Sequence, residues 1–256
     1  MAISRCHEPV PVSVGPCLLG LQPIKVLSSL SGSTSADLLK SVRTLEQMAV
    51  DIIEWRIDYI ESLNFQSVLS TAIELRMQTS KPLLGTLRTK QEGGNADIDD
   101  EAYHALVGDI ASSKLMDAID VEFSRGRSNE LIDIAHDNNT PVILSYHNFD
   151  ETPSKEELLE LFSAMHETKA DVIKMAVMPR TPDDVLRLMQ CTLQMREHSD
   201  KPLITMAMGA LGGVTRVAGS LFGSCATFAA AQNASAPGQL PVDTVRSMLD
   251  ALSIDD

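Results

Sequence analysis

Pro141-Val142-Ile143-Leu144-Ser145-Tyr146 is a short apolar run, Glu156 to His166 carries apolar residues at helical spacing, and Asp171-Val172-Ile173-Lys174-Met175-Ala176 is a second run. Strand, helix and strand repeating at roughly thirty residues make a parallel βαβ unit. The pattern continues in both directions. Upstream lie Lys25 to Leu30, Asp51 to Arg56, Pro82 to Leu87 and Ala118 to Phe123, with Asp37 to Ala49 among the helical stretches between them. Downstream come Pro202 to Met206 and a weaker run at Ser220 to Ser224. Eight such runs predict an α/β protein, a closed (β/α)8 TIM barrel in one domain over residues 1–256, with an open doubly wound sheet as the competing arrangement. The chain has no G-x-G-x-x-G after the first strand and no G-x-x-x-x-G-K, so dinucleotide and P-loop folds lose their best support. Ser154 with Glu157 reads as a capping box, and Thr181-Pro182 as a second helix start. Residues 1–24, punctuated by Pro9, Pro11, Pro16 and Pro23, are expected to be an N-terminal extension.

Composition narrows the function. With 44% of its 256 residues hydrophobic, the chain is no disordered acidic tail. Its 35 acidic and 21 basic side chains give a net charge of −14, a field that repels nucleic acid and anionic membranes, so neither is expected as a partner. Cys6, Cys17, Cys191 and Cys225 include no C-x-x-C pair and read as reduced thiols. Without a signal peptide or a long uninterrupted apolar run, a soluble cytoplasmic protein is predicted. No H-x-H or H-E-x-x-H motif supports a metal site.

Polar residues inside the apolar runs carry the chemistry. Alternate strand residues face into a barrel, and reactive groups sit at the C-terminal strand ends. Glu54, Arg56 and Asp58 share one parity and Ile53, Trp55 and Ile57 the other, which points Glu54 and Arg56 inward. Asp120 and Glu122 behave alike, and Lys174 shares its parity with Val172 and Ala176. These residues are either ion pairs plugging the barrel or parts of a site. An ammonium in an apolar segment is costly unless compensated, and desolvation near other cations pushes a lysine toward the neutral amine, which attacks carbonyls to form a Schiff base. His147, ending its strand, suits proton transfer. Arg216 is the one charged residue between Pro202 and Val242, so its partner is either a distant acid or a bound carboxylate or phosphate.

Several blocks, in order, resemble type I 3-dehydroquinate dehydratase, a (β/α)8 family of the shikimate pathway. They are Glu54-Trp55-Arg56-Ile57-Asp58, Leu87-Arg88-Thr89-Lys90-Gln91-Glu92-Gly93-Gly94, Ser145-Tyr146-His147-Asn148-Phe149, Ile173-Lys174, Phe222-Gly223-Ser224, Thr227-Phe228 and Ala234-Ser235-Ala236-Pro237-Gly238-Gln239. The resemblance implies dehydration of 3-dehydroquinate to 3-dehydroshikimate without cofactor or metal, by a homodimer. For residues 1–24 it implies a cap on the barrel bottom. It implies Lys174 as the imine-forming residue, His147 as the proton-transfer group and Glu92 as its tuning partner. Substrate contacts are implied for Ser29, Glu54, Arg56, Arg88, Met206, Met208, Arg216, Ser235 and Gln239, with Arg216 taking the carboxylate. Gathering Lys174, Arg56, Arg88 and Arg216 predicts a local reversal of the negative field. Thr215 stands where the family commonly has serine, and the small residues from Gly209 to Gly213 predict a looser pocket wall. A class I aldolase or transaldolase, which also uses a barrel lysine, is the rival; a catalytically idle carboxylate-binding barrel is a second.

Overall fold

A computed structural model describes residues 8–231 and 236–253. The chain runs β1 (Val12–Val14), β2 (Cys17–Leu19), β3 (Lys25–Leu30), α1 (Ser35–Glu46), β4 (Ile52–Arg56), α2 (Phe65–Arg76), β5 (Leu83–Thr86), α3 (Asp100–Ser112) and β6 (Ala118–Glu122). It continues with α4 (Ser128–Asp137), β7 (Val142–Asn148), α5 (Lys155–His166), β8 (Val172–Val177), α6 (Pro182–Arg196), β9 (Leu203–Ala207), α7 (Gly213–Ala218), β10 (Ala226–Phe228) and α8 (Val242–Ala251). β1 and β2 pair as an antiparallel hairpin, and the other eight strands are bonded in the order β10-β3-β4-β5-β6-β7-β8-β9. The ring closes where the Cys225 N–H donates to the Leu203 carbonyl at 2.7 Å. That closure makes the sheet a (β/α)8 barrel and excludes the open alternative. Local chemistry sets the helix starts: the Ser154 hydroxyl accepts the Glu157 N–H at 3.3 Å while Glu157 accepts the Ser154 N–H at 2.9 Å. Asp184 does the same for the Thr181 N–H at 2.8 Å, behind Pro182 in the first turn of α6.

The inward residues form layers. Leu27, Ile52, Leu84, Ala118, Ile143, Val172, Ile204 and Ala226 come one from each strand and are at most 2% exposed. Val14 and Leu19 of the hairpin pack into this same cluster, so the barrel has an apolar floor. Burying a Leu or Ile side chain there contributes roughly 1.5–3 kcal/mol. Two residues along, the same faces present Ser29, Glu54, Thr86, Asp120, Ser145, Lys174, Met206 and Phe228. The opposite parity, including Ile53, Trp55, Val121 and Met175, packs against Leu38, Leu75, Phe162 and Leu188 of the surrounding helices.

One expected strand is displaced. Ser220 to Ser224 is not extended: Gly219–Phe222 forms a 3-10 turn, and the eighth barrel strand is β10, paired from Ala226↔Lys25 to Phe228↔Leu27. Gly223, at φ +106°, breaks the run, and Arg196 occupies the space a side chain there would need.

The strand-start rim repeats every second strand. Asp51, Asp117 and Asp171, just ahead of β4, β6 and β8, accept the Val26, Leu83 and Val142 N–H groups at 2.7, 2.8 and 2.7 Å. Each also holds a cationic or imidazole group from a helix: Arg246, Arg76 and His136. At the fourth position, ahead of β10, the Ser224 hydroxyl accepts the Thr205 N–H at 3.1 Å. Asp117→Ala strands the buried Leu83 N–H and releases Arg76; a loss of about 1–3 kcal/mol is expected in urea unfolding, with the upper rim intact.

Candidate active site

The C-terminal strand ends surround one cavity. Ser29, Glu54, Arg56, Arg88, Glu92, His147, Lys174, Met206, Met208, Arg216 and Gln239 all line it; Ser235 lies outside the described residues. Gly93, Phe149, Ala176, Phe228 and Ala236 line it too.

Lys174, 3% exposed, places Nζ 3.0 Å from Asp120 Oδ2 and 3.2 Å from Glu54 Oε1. Its nearest charges are thus carboxylates rather than the expected cations. The Phe228 ring lies 4.6 Å from Nζ. Burial works against ionised Glu54 and Asp120, but the cations win: Lys174 and Arg56 hold Glu54 below the usual carboxylate range, and Arg88 and Lys174 do so for Asp120.

Arg88 leaves β5 into the ionic layer. It donates to Asp120 Oδ1 at 2.7 Å, Glu122 Oε1 at 3.0 Å, Glu92 Oε2 at 3.3 Å and the Ser145 hydroxyl at 3.0 Å. Glu122 in turn accepts the Thr89 N–H at 2.8 Å and the Thr89 hydroxyl at 2.7 Å, fixing the segment that carries Glu92. Arg56 is held bidentately by Asp58, both bonds at 2.8 Å, and Asp58 also accepts the Asn95 N–H at 2.9 Å.

His147 Nδ1 lies 2.8 Å from Glu92 Oε2, which also accepts the His147 backbone N–H at 3.1 Å; Ser124 donates to the other oxygen. Burial takes His147 well below 6.5, with Arg88, Lys174 and Arg56 adding to the fall. Burial likewise pushes Glu92 up to about 8, against the pull of Arg88. Burial thus opposes charge on both members of the pair.

Arg216 differs from the other cations. Among the described residues it has no carboxylate partner; its guanidinium donates to the Phe228 and Pro237 carbonyls at 3.3 and 3.1 Å, and its buried Nε has no partner at all. Burial lowers it to about 10. The distant acid that its isolation in the sequence left open is not found among the described residues.

One expectation needs correction: the cavity does not reverse the field wholesale, because Arg56, Arg88 and Lys174 are matched by Asp58, Asp120, Glu122 and Glu54. Unpaired, these buried cations would each cost several kcal/mol. At the Gly209 wall a side chain at Gly212 would strike the Ala207 carbonyl and one at Gly238 the Gly209 carbonyl, while Gly213 faces open space. Thr215 keeps the hydroxyl in use, accepting the Ala207 N–H at 3.0 Å and donating to the Gly212 carbonyl at 2.7 Å. Phe228 falls in a block that the resemblance covers but was given no place in the site; Asp58, Asp120 and Glu122 were flagged by parity and likewise given none.

The type I 3-dehydroquinase profile matches residues 26–256, which holds every group just described. The chain belongs to the type I 3-dehydroquinase family. It is 41% identical over 246 residues to the 3-dehydroquinate dehydratase of Syntrophotalea carbinolica, covering 94% of this chain and 97% of that protein. The crystal structure of the Geobacillus kaustophilus 3-dehydroquinate dehydratase superposes with a TM-score of 0.93 at 34% identity, covering 97% of this chain and 98% of that one. That of the Clostridium difficile type I enzyme, with covalent modified comenic acid, gives 0.91 at 37% identity over 96% and 98%. The type I 3-dehydroquinase assignment sets the aldolase rival aside. Among the described residues no group of three or more His, Cys, Asp or Glu is placed to hold a metal, and no helix is long and apolar enough to cross a membrane. Cys17, Cys191 and Cys225 are free; Cys6 lies outside the described residues.

The depressed His147 imidazole is expected to titrate below 6.5, staying neutral as pH falls through the ordinary histidine range. Ring nitrogen chemical shifts followed over pH check this; a midpoint above 6.5 contradicts it.

Proposed function

We propose that the chain dehydrates 3-dehydroquinate to 3-dehydroshikimate through an imine at Lys174, as a homodimeric enzyme of the cytoplasm serving the shikimate pathway. The amine of Lys174 adds to the substrate ketone, and the carbinolamine gains a proton and loses water to give an iminium. That cation acidifies the neighbouring C–H, whose proton His147 Nε2 takes, leaving an enamine. The enamine expels the adjacent hydroxyl, which leaves as water with a proton returned by His147, a syn elimination. Hydrolysis of the conjugated iminium then frees Lys174 and the product.

The observation that carries this reading is the pairing pattern of the cavity. Lys174 and the His147–Glu92 pair line one cavity with a single carboxylate-free cation, Arg216, among its described residues. A buried guanidinium whose Nε is unspent is a seat for one carboxylate. Membership of the type I family and the covalently modified ligand of the Clostridium difficile relative support the same chemistry. Ser29, Glu54, Arg56, Arg88, Met206, Met208, Ser235 and Gln239 take the remaining substrate contacts in this proposal, with Glu92 tuning His147.

Borohydride added during turnover is expected to fix substrate mass to Lys174, mapped by peptide mass spectrometry, and Lys174→Ala to abolish turnover while binding persists in part. An adduct on another lysine, or near-normal turnover of Lys174→Ala, overturns the assignment. Arg216→Ala removes the carboxylate seat; a charge-assisted pair of this kind is worth about 2–5 kcal/mol, so KM is expected to rise by about thirtyfold or more in steady-state kinetics.

A further inference from the structure

Asp120 lies beneath the cavity rather than on its wall. Its side chain is 1% exposed and takes no part in the lining, whereas Glu54 does. Oδ2 accepts from Lys174 Nζ at 3.0 Å, and Oδ1 is gripped by Arg88 at 2.7 Å and by the Ser145 hydroxyl at 2.6 Å. With Oδ1 held from two sides, the carboxylate cannot swing from Nζ without breaking the Arg88 pair in a buried setting. Glu54 is placed differently. Its Oε1 is shared between Nζ and Thr86, its Oε2 takes the Ser29 hydroxyl, and its position on the wall lets it turn to a ligand.

Other charged groups approach Lys174 from every side. Arg56 comes from β4, Arg88 and Glu92 from the segment after β5, Glu122 from β6, His147 from β7 and Arg216 from α7. Of the charged groups among the described residues, only Glu54 and Asp120 pair with Nζ.

We propose that Asp120 is the fixed counter-ion of the Lys174 nitrogen, for its ammonium at rest and its iminium during reaction. This rests on the reading that Lys174 forms an imine. The nitrogen is cationic as ammonium and neutral as amine. It is cationic again once the carbinolamine takes a proton and releases water, and neutral in the enamine. A carboxylate locked at this distance favours each cationic form, and so keeps the iminium charged while the neighbouring C–H is broken.

Asp120→Asn keeps the shape and removes the charge. Reductive trapping of 3-dehydroquinate on Lys174, followed across pH, rises as the ammonium yields amine and falls as the iminium loses its proton. Removing the counter-ion lowers both transitions, so both limbs of the profile are expected to move to lower pH by about one unit or more. Ser145→Ala, which loosens the grip on Oδ1, is expected to move them the same way by less. Limbs that stay put in both variants, whatever the adduct yield, overturn the counter-ion role and leave Asp120 merely structural. If Asp120→Asn does not fold, an unmoved profile for Ser145→Ala decides against it. No adduct on Lys174 in the unaltered chain overturns the imine reading together with this one; an adduct with unmoved limbs overturns this one alone.

Discussion

The upper half of the barrel depends on one carboxylate holding two cations: Asp120 bonds Arg88 through one oxygen and Lys174 through the other. Each ion there has been taken out of water at several kcal/mol, and mutual attraction recovers that only when geometry is good and remaining donors are satisfied. The layer meets both conditions by sharing. Arg88 spreads its charge over Asp120, Glu122 and Glu92, and Ser145 fills the bond left on Asp120. Beneath this layer the apolar floor, with Ile52, Ala118 and Val172, offers no polar side chain as a partner.

Against that matched background Arg216 is informative by contrast. It rests on backbone carbonyls, which solvate a guanidinium without neutralising it. A chain of net charge −14 thereby presents to its cavity one guanidinium that no carboxylate among the described residues meets.

Much of this was legible in the residues. Parity placed Glu54, Arg56, Asp120, Glu122 and Lys174 inside, because a strand of alternating period cannot turn one of them outward without exposing its apolar neighbours. What parity cannot tell is which acid meets which base. That depends on the register of neighbouring strands, as in Ser145 opposite Lys174, and no single strand carries it. Hence the ionic layer read as a cluster of cations when it is a set of pairs. β10 stayed hidden because three residues are too few to display a period, and a neighbouring apolar run interrupted by Gly223 looked more like a strand. Arg216 stood out early because nothing charged lies near it in sequence, and among the described residues it has no acid in space either.

The strand-start rim has a different logic. Asp51, Asp117, Asp171 and Ser224 act at equivalent places, each tying a strand to its predecessor, and none reaches the ionic layer above. The foundation is therefore modular and the workshop above it bespoke. Loops over the reactive face are free to drift under selection for new chemistry while the footing, quartered and self-contained, keeps the ring from coming apart.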